Sequence, residues 1–266
     1  MNAPEKTLAG EPQILRRKQG AVETLILNRP AQYNSIPGAM IDAIRAALDD
    51  IARDEGVRAV VIAGSGKAFC AGHDLKEMMA NRNHASTREL FDRCCRMMMT
   101  IQRMPQPVIA RVHGMATAAG CQLVAMCDLA VAAETATFAT SGITLGLFCT
   151  TPGVAVARNL LRKNALEMLL TGEFIDARKA QAWGLVNRVV PDAELDGEVK
   201  CLIDSIISRP RDVIALGKKL FYEQIELPIA QAYGVAAEGM ACNLMLDNTA
   251  EGVGAFLAKR KPNWSA

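Results

Sequence analysis

The sequence predicts an α/β fold with parallel strands, followed by a region built of helices alone. Two patterns carry that prediction. Up to Pro191, short β-branched runs alternate with segments of helical period, the order expected of βαβ units. Beyond Pro191 the strand pattern stops and apolar residues recur only at helical spacing. A chain of 266 residues, half of them hydrophobic, can bury a large core without disulfides or a structural metal.

Taken in order, Ala21 to Asn28 reads as a strand, with Val22, Thr24 and Ile26 alternating with Glu23, Leu25 and Leu27. Arg29-Pro30 ends it. Pro37 to Arg53 carries a helical stripe at positions 40, 41, 44, 47, 48 and 51, and Pro37 suits a first helical turn. Val57 to Ala63 is a nearly continuous β-branched run, as in a strand covered on both faces. Gly64 to Gly72 reads as a loop. A helix is expected from about Asp74, and another from Ser86 to Met104, stopped by Pro105 and Pro107. Val108 to Val112 reads as a strand, His113 to Thr117 as a turn, Ala118 to Met126 as a small-residue helix and Leu129 to Ala133 as a strand. Four helices close the chain, over 195–208, 212–224, 230–246 and 249–260. The expected organisation is a flexible N-terminus (1–19), an α/β core (20–194) and a helical region (195–266), with a soft boundary near residue 195.

Thirty basic and 28 acidic residues leave a net charge of +2, which gives no support for a nucleic-acid or membrane-surface partner. Residues 1–20 include Glu5, Glu11, Arg16, Arg17 and Lys18 around no apolar stretch, so they do not read as a secretory signal. The apolar run from Cys121 to Ala133 is interrupted by Asp128 and is too short to span a bilayer. The eight cysteines form no Cys-x-x-Cys pair, which argues against a zinc ribbon or redox motif. A cytoplasmic protein in a reducing compartment is the expectation, with no metal. Met97-Met98-Met99 reads as adaptable packing.

Two segments carry the chemistry. The first, Gly64 to Lys76 (GSGKAFCAGHDLK), leaves the C-terminal end of a buried strand, where open α/β sheets bind ligands. The second, His113 to Gln122 (HGMATAAGCQ), likewise joins a strand to a helix. Small residues allow a ligand close to the backbone, and free N–H groups at a helix start can hold an anionic oxygen. Two such starts facing one point would form an oxyanion hole; the competing reading is a pair of ordinary tight turns. A phosphate loop through Gly66-Lys67 fails, because Ala68 replaces the required Ser or Thr and no glycine stands five residues before Gly66.

These segments resemble the crotonase, or enoyl-CoA hydratase/isomerase, superfamily. KAFCAGHDLKE (67–77) is similar to K-x-F-x-A-G-x-D-L/I, and VHGMATAAGCQLVAMCDLAVA (112–132) to V-x-G-x-x-x-G-G-G-x-E-L-x-x-x-C-D. Asn28-Arg29-Pro30 with Asn34, Phe138, Gly172 with Ala177 and Ala180, Trp183-Gly-Leu-Val-Asn and Phe256-Leu-Ala-Lys-Arg-Lys-Pro add matches in the same order over about residues 20 to 264. The resemblance implies a spiral of βαβ units with a C-terminal helical trimerisation region, assembled as a homotrimer or hexamer. It implies an acyl-CoA ligand, with coenzyme A entering as part of the substrate and no bound cofactor.

Residue by residue, the resemblance places the oxyanion donors at the backbone N–H groups of His73 and Ala119. The two glutamates of a hydratase would fall at Gln122 and at about Gly142. Neither residue can exchange a proton near neutral pH. Ser35, Ala71, Asp74, Leu75 and Lys76 match positions lining the coenzyme, and Phe256 and Lys259 match a C-terminal element that meets the coenzyme of a neighbouring subunit. The imidazole of His73 either reaches the site or belongs to a partly exposed loop. His113 is expected to order its turn, Asp74 to cap a helix and Asp128 to anchor a strand turn. Cys121 and Cys149 lie near the expected cavity, where an unactivated thiol is inert. Three functions remain open: an enzyme acting on acyl-CoA thioesters, an acyl-CoA-binding protein without catalysis, and a trimeric interaction scaffold.

Overall fold

The computed structural model describes residues 11–264. The first ten residues of the segment expected to be flexible lie outside that range. Within the rest of it, Ile14–Gln19 forms strand β1, antiparallel to β2 (Val22–Leu27). The charged run Arg16-Arg17-Lys18 conceals this strand because it forms the edge of its sheet, where charges face water and discourage further pairing.

From there the chain winds as a spiral. It runs through α1 (Gly38–Ile51), β3 (Ala59–Gly64), β4 (Ala68–Cys70), α2 (Leu75–Ala80) and α3 (His84–Arg103). It repeats the pattern with β5 (Val108–Val112), β6 (Met115–Thr117) and α4 (Ala119–Met126), and again with β7 (Leu129–Ala133) and β8 (Thr137–Ala139). Each turn leaves a long strand in one sheet and a three-residue strand in a second. Helices α5 (Thr150–Asn159) and α6 (Arg162–Thr171), strand β9 (Ile175–Asp176), helix α7 (Ala177–Trp183) and strand β10 (Arg188–Val190) complete the core. The large sheet has the order β1-β2-β3-β5-β7-β10, parallel from β2 onwards, and the small sheet the order β4-β6-β8-β9. Helices α8 (Leu195–Ile207), α9 (Arg211–Gln224), α10 (Ile229–Leu244) and α11 (Asp247–Leu257) follow.

The continuous apolar run of β3 is explained by covering on both sides. Val60 and Ile62 face the main core beside α1, α3 and α4, with Val108 and Ala110 from β5. Ala59 and Val61 point the other way, with Ile109, Val131 and Ala133, onto Leu195, Val199 and Ile203 of α8. Burying each Val, Leu or Ile side chain contributes about 1.5–3 kcal/mol. The boundary expected near residue 195 therefore falls at the start of a helix that covers the large sheet. Met97 and Met98 are core residues, as adaptable packing implies, whereas Met99 turns outward and is exposed, because three successive helical positions cannot share one face.

Helix α9 is held to the core by a buried polar cluster around Asp128. One carboxylate oxygen accepts from the Val108 N–H at 2.6 Å and from Lys218 Nζ at 2.7 Å, and the other accepts from the Tyr222 hydroxyl at 2.8 Å. Lys218 Nζ also donates to the carbonyls of Ile101 and Gln106, each at 2.8 Å, where α3 ends and a cation is favoured. Burial pushes the Asp128 carboxyl up and the Lys218 ammonium down, and their mutual attraction opposes both shifts. Asp128 thus anchors its turn, and it also receives a helix 90 residues further along the chain.

Because each charge is compensated by the other, removing one is costlier than removing a neutral donor. Lys218→Met should lower unfolding stability in urea by about 3–5 kcal/mol, against roughly 2 kcal/mol for Tyr222→Phe. The reverse order would show that the ion pair does not hold α9.

Candidate functional site

The first glycine-bearing segment is fixed by Asn34, a fully buried residue held at φ 55°. Its amide nitrogen donates to the carbonyls of Ser65 and Ala68, both at 2.8 Å, and of Phe69 at 3.2 Å. Its Oδ1 accepts from the Arg29 N–H at 2.9 Å. Arg29 in turn donates to the carbonyl and hydroxyl oxygens of Ser35 and pairs with Asp74 at 2.9 Å. Asp74 caps α2 by accepting from the N–H groups of Lys76 and Glu77. Burial alone would raise the Asp74 carboxyl, but Arg29 and these N–H groups outweigh it and hold it below its usual range.

This scaffold presents His73 in a defined way. Ile36 bridges it in parallel fashion, through Ile36 N–H to Gly72 O at 2.7 Å and Asp74 N–H to Ile36 O at 3.1 Å. The bridge uses the groups on either side of His73, so its own N–H is left for the opposite side.

The second segment supplies Ala119, the first residue of α4, whose first-turn N–H groups have no intrahelical acceptor. Ala118 before it adopts φ 50°, ψ −118°, a conformation that side chains disfavour and that costs on the order of 1–3 kcal/mol. The two segments touch through glycines. A Cβ at Gly120 would lie 2.2 Å from Cys70 O. Gly72, at φ 93°, would place a Cβ 2.9 Å from that of Ala118 and 3.3 Å from the Ala119 nitrogen.

Between them opens a cavity of about 340 Å³ lined by Ala71, His73, Ala118 and Ala119 together with Ser141, Gly142 and Cys149. Its walls are otherwise mainly apolar, with Leu75, Met78, Phe91, Leu147, Phe148 and Pro152. The Ser141 and Thr117 hydroxyls share a hydrogen bond of 2.7 Å. The His73 ring is not a surface group. Both of its nitrogens are shielded and lack a hydrogen-bond partner, and the ring meets Phe91 edge to face at 5.3 Å. Burial lowers its pKa, opposed in part by contact with the Ile36 backbone, so the imidazole is neutral at pH 7.

Gln122 is buried, with its Oε1 unpartnered, and it does not line the cavity. Gly142 does, but it has no room for a side chain. A Cβ there would stand 2.5 Å from Leu147 O and 2.8 Å from Cys149 Sγ. Burial raises the Cys149 thiol, and it pushes the enclosed Cys121 up to about 12, which leaves both thiols un-ionised near pH 7. His113 orders its turn through Nε2 and Gly66 O, 2.9 Å apart.

Among the expected coenzyme contacts, Ala71 and Leu75 line the cavity, whereas Ser35, Asp74 and Lys76 do not. Ser35 and Asp74 are engaged by Arg29. Phe256 in α11 and Lys259 just beyond it are exposed and lie outside this cavity of the single chain. Sequence reasoning missed Met78, Phe91, Leu147 and Phe148, which sit in ordinary amphipathic or irregular stretches without a local signal. Among the described residues, no group of three His, Cys, Asp or Glu could hold a metal ion, and no helix is long and apolar enough to cross a membrane.

Known proteins show the same pattern over nearly the whole chain. The sequence model described as enoyl-CoA hydratase/isomerase matches residues 17–266. The rat protein named enoyl-CoA hydratase domain-containing protein 3, mitochondrial, is 42% identical over 256 residues, covering 96% of this chain and 85% of the relative. The human protein of that name is 43% identical over 249 residues, covering 94% and 82%. Among solved structures, an enoyl-CoA hydratase from Mycobacterium smegmatis has a TM-score of 0.94 at 56% identity, covering 96% of this chain and 99% of its own. Human enoyl-CoA hydratase domain-containing protein 3 has a TM-score of 0.92 at 42% identity, covering 95% and 100%.

The contact at Gly120 is testable without a ligand. Gly120→Ala places a methyl against a main-chain carbonyl, so it should lose at least about 3 kcal/mol of stability or fail to fold. Gly197→Ala, in α8 with open space around it, should be neutral or gain up to about 1 kcal/mol. Similar thermal unfolding of the two variants would refute the tight approach.

Proposed function

The chain belongs to the enoyl-CoA hydratase/isomerase family, with its crotonase fold, and on that premise we propose that it binds acyl-CoA thioesters with the carbonyl oxygen between the N–H groups of His73 and Ala119. One observation carries the reading: both residues line one mainly apolar cavity, and the fold leaves both N–H groups unused. Such a pair polarises a thioester carbonyl and stabilises an enolate or tetrahedral oxyanion. Loss of one donor of this kind typically costs about 3 kcal/mol of barrier lowering. The apolar walls suit an acyl chain without charge.

In this reading the protein is no ordinary hydratase. Water addition as the family's glutamates perform it needs proton-carrying groups beside the bound thioester. The corresponding positions hold an amide, Gln122, and a glycine, Gly142, whose surroundings exclude a side chain. Those two positions also favour a second reading, binding without turnover. Exposed apolar side chains on α9 to α11, including Phe221, Tyr233, Met240 and Phe256, support assembly of several copies, in keeping with the trimer or hexamer that the resemblance implies. Sedimentation of the purified chain as a monomer at micromolar concentration would refute that assembly.

Crotonyl-CoA should bind saturably in titration calorimetry, and the infrared band of its thioester carbonyl should move to lower frequency on binding. The same sample should not hydrate it at the 1–10³ s⁻¹ of a typical enzyme. An unshifted carbonyl band would remove the two-donor site from the reading, and rapid hydration would overturn the roles given to Gln122 and Gly142.

A further inference from the structure

Building on the thioester site proposed above, we propose that the His73 imidazole is the proton carrier of this cavity, and that the chemistry it serves is proton exchange beside a thioester carbonyl. Enolisation and double-bond migration are the reactions this permits, in place of water addition.

The argument begins with what lines the cavity. Its described walls contain no Asp, Glu, Lys, Arg or Tyr, and their titratable side chains are His73 and Cys149. Burial raises the thiol of Cys149 above its ordinary value, so it keeps its proton at neutral pH. His73 is thus the one wall residue able to take and return a proton near pH 7. Its ring nitrogens are shielded and make no hydrogen bond of normal geometry, the backbone of Ile36 being the polar group that acts on them. Leaving a buried polar group unpaired costs about 1–3 kcal/mol, and a buried group without a good partner calls for an explanation, of which a catalytic role is one. Phe91 meets the ring edge to face and so limits its orientation.

Covalent geometry adds a constraint. The N–H proposed to hold the thioester oxygen and the imidazole belong to the same residue. By standard bond lengths a histidine Nδ1 lies at most about 5 Å, and Nε2 at most about 6 Å, from its own backbone nitrogen. An oxygen held on that N–H is therefore within about 9 Å of either ring nitrogen, and the carbon beside the carbonyl is two bonds from that oxygen.

The surroundings favour the basic form. Met78 from α2 and Phe91 from α3 are apolar, the Cys149 thiol at the start of α5 is uncharged, and the neighbouring Asp74 is engaged by Arg29. No charged side chain acts on the ring, whose proton affinity is lowered by burial and raised only by the Ile36 backbone.

A single base suffices for the proposed step. The imidazole lone pair takes the proton from the carbon beside the carbonyl. The electron pair of that C–H bond becomes the carbon–carbon double bond of an enolate, and the carbonyl π pair moves to the oxygen between the two N–H groups. Once its N–H has swapped with solvent, the imidazolium returns a solvent-derived proton to the same carbon, which is exchange; alternatively it delivers its proton to the γ-carbon of an unsaturated chain, which moves the double bond. Nothing else is consumed.

The experiment follows the methylene protons beside the carbonyl of butyryl-CoA in D2O by NMR, with calorimetric binding in parallel. The wild type should exchange them at a rate that is level through neutral pH and falls only at a pH below the ordinary histidine range, as the imidazole gains its proton. Every residue except proline keeps the main-chain N–H, so His73→Gln and His73→Phe separate the side chain from the oxygen site. Both should lose about 10²–10⁴-fold in exchange, at least ten times any loss in affinity. Wild-type protein that binds butyryl-CoA without exchange, or exchange unchanged in both variants, would overturn the role of His73 and leave the thioester site standing. Absence of binding would overturn the thioester site and this role together.

Discussion

The cavity depends on one close approach, the contact of the segment after β4 with the first turn of α4. At that contact a main-chain carbonyl, Cys70 O, occupies the space in which a side chain at position 120 would begin. Gly72 makes the matching concession on the other segment, where the lack of a Cβ keeps it clear of Ala118. Polar groups hold the arrangement from behind. Asn34 binds three successive parts of the loop, and Arg29 ties Ser35 to Asp74. The strained Ala118 is tolerated because its neighbours leave it no alternative, a common feature of sites whose backbone performs the work.

A backbone-built site has a particular consequence for chemistry. The donors persist through nearly any side-chain change, whereas proton transfer depends on side chains that can be lost. On the proposed reading, Gln122 and Gly142 stand where a hydratase of the family would carry its acid and base. At Gly142 no side chain fits, since Leu147 O and Cys149 Sγ occupy the space. The same packing leaves an apolar chamber in which an imidazole is dry and neutral. Burial that would make a carboxylate a stronger base instead keeps a histidine in its basic form, because desolvation always penalises the charged species.

The remainder of the molecule serves to keep these segments in register. The large sheet is covered on one face by the main core and on the other by α8, which leaves its central strands little freedom. The Asp128 cluster then joins α9 to the end of α3 and to the turn before β7. An ion pair in that position adds less to stability than its Coulomb attraction suggests, since both charges were taken from water.

Much of this was legible in the chain itself. The β-branched run of Val57 to Ala63, the helical stripe from Met40 to Ile51 and the helices beyond residue 195 follow from local patterns of residue type, and the structure returns them within a few residues. The roles of Asp74 and His113 were equally local, as a cap and a turn. The three-residue strands of the small sheet were not legible, because a period of two cannot be recognised over such a length, and β1 was hidden by its charged edge. The site divides in the same way. The sequence by itself determined which two segments have backbone N–H groups to offer, because small residues and helix starts are written locally. Only the tertiary structure decided that the His73 ring turns inward onto Phe91, that Gln122 lies behind the wall and that Gly142 cannot bear a side chain. Those outcomes are distances between segments far apart in the chain, set by how the turns of the spiral pack, and no local pattern encodes them.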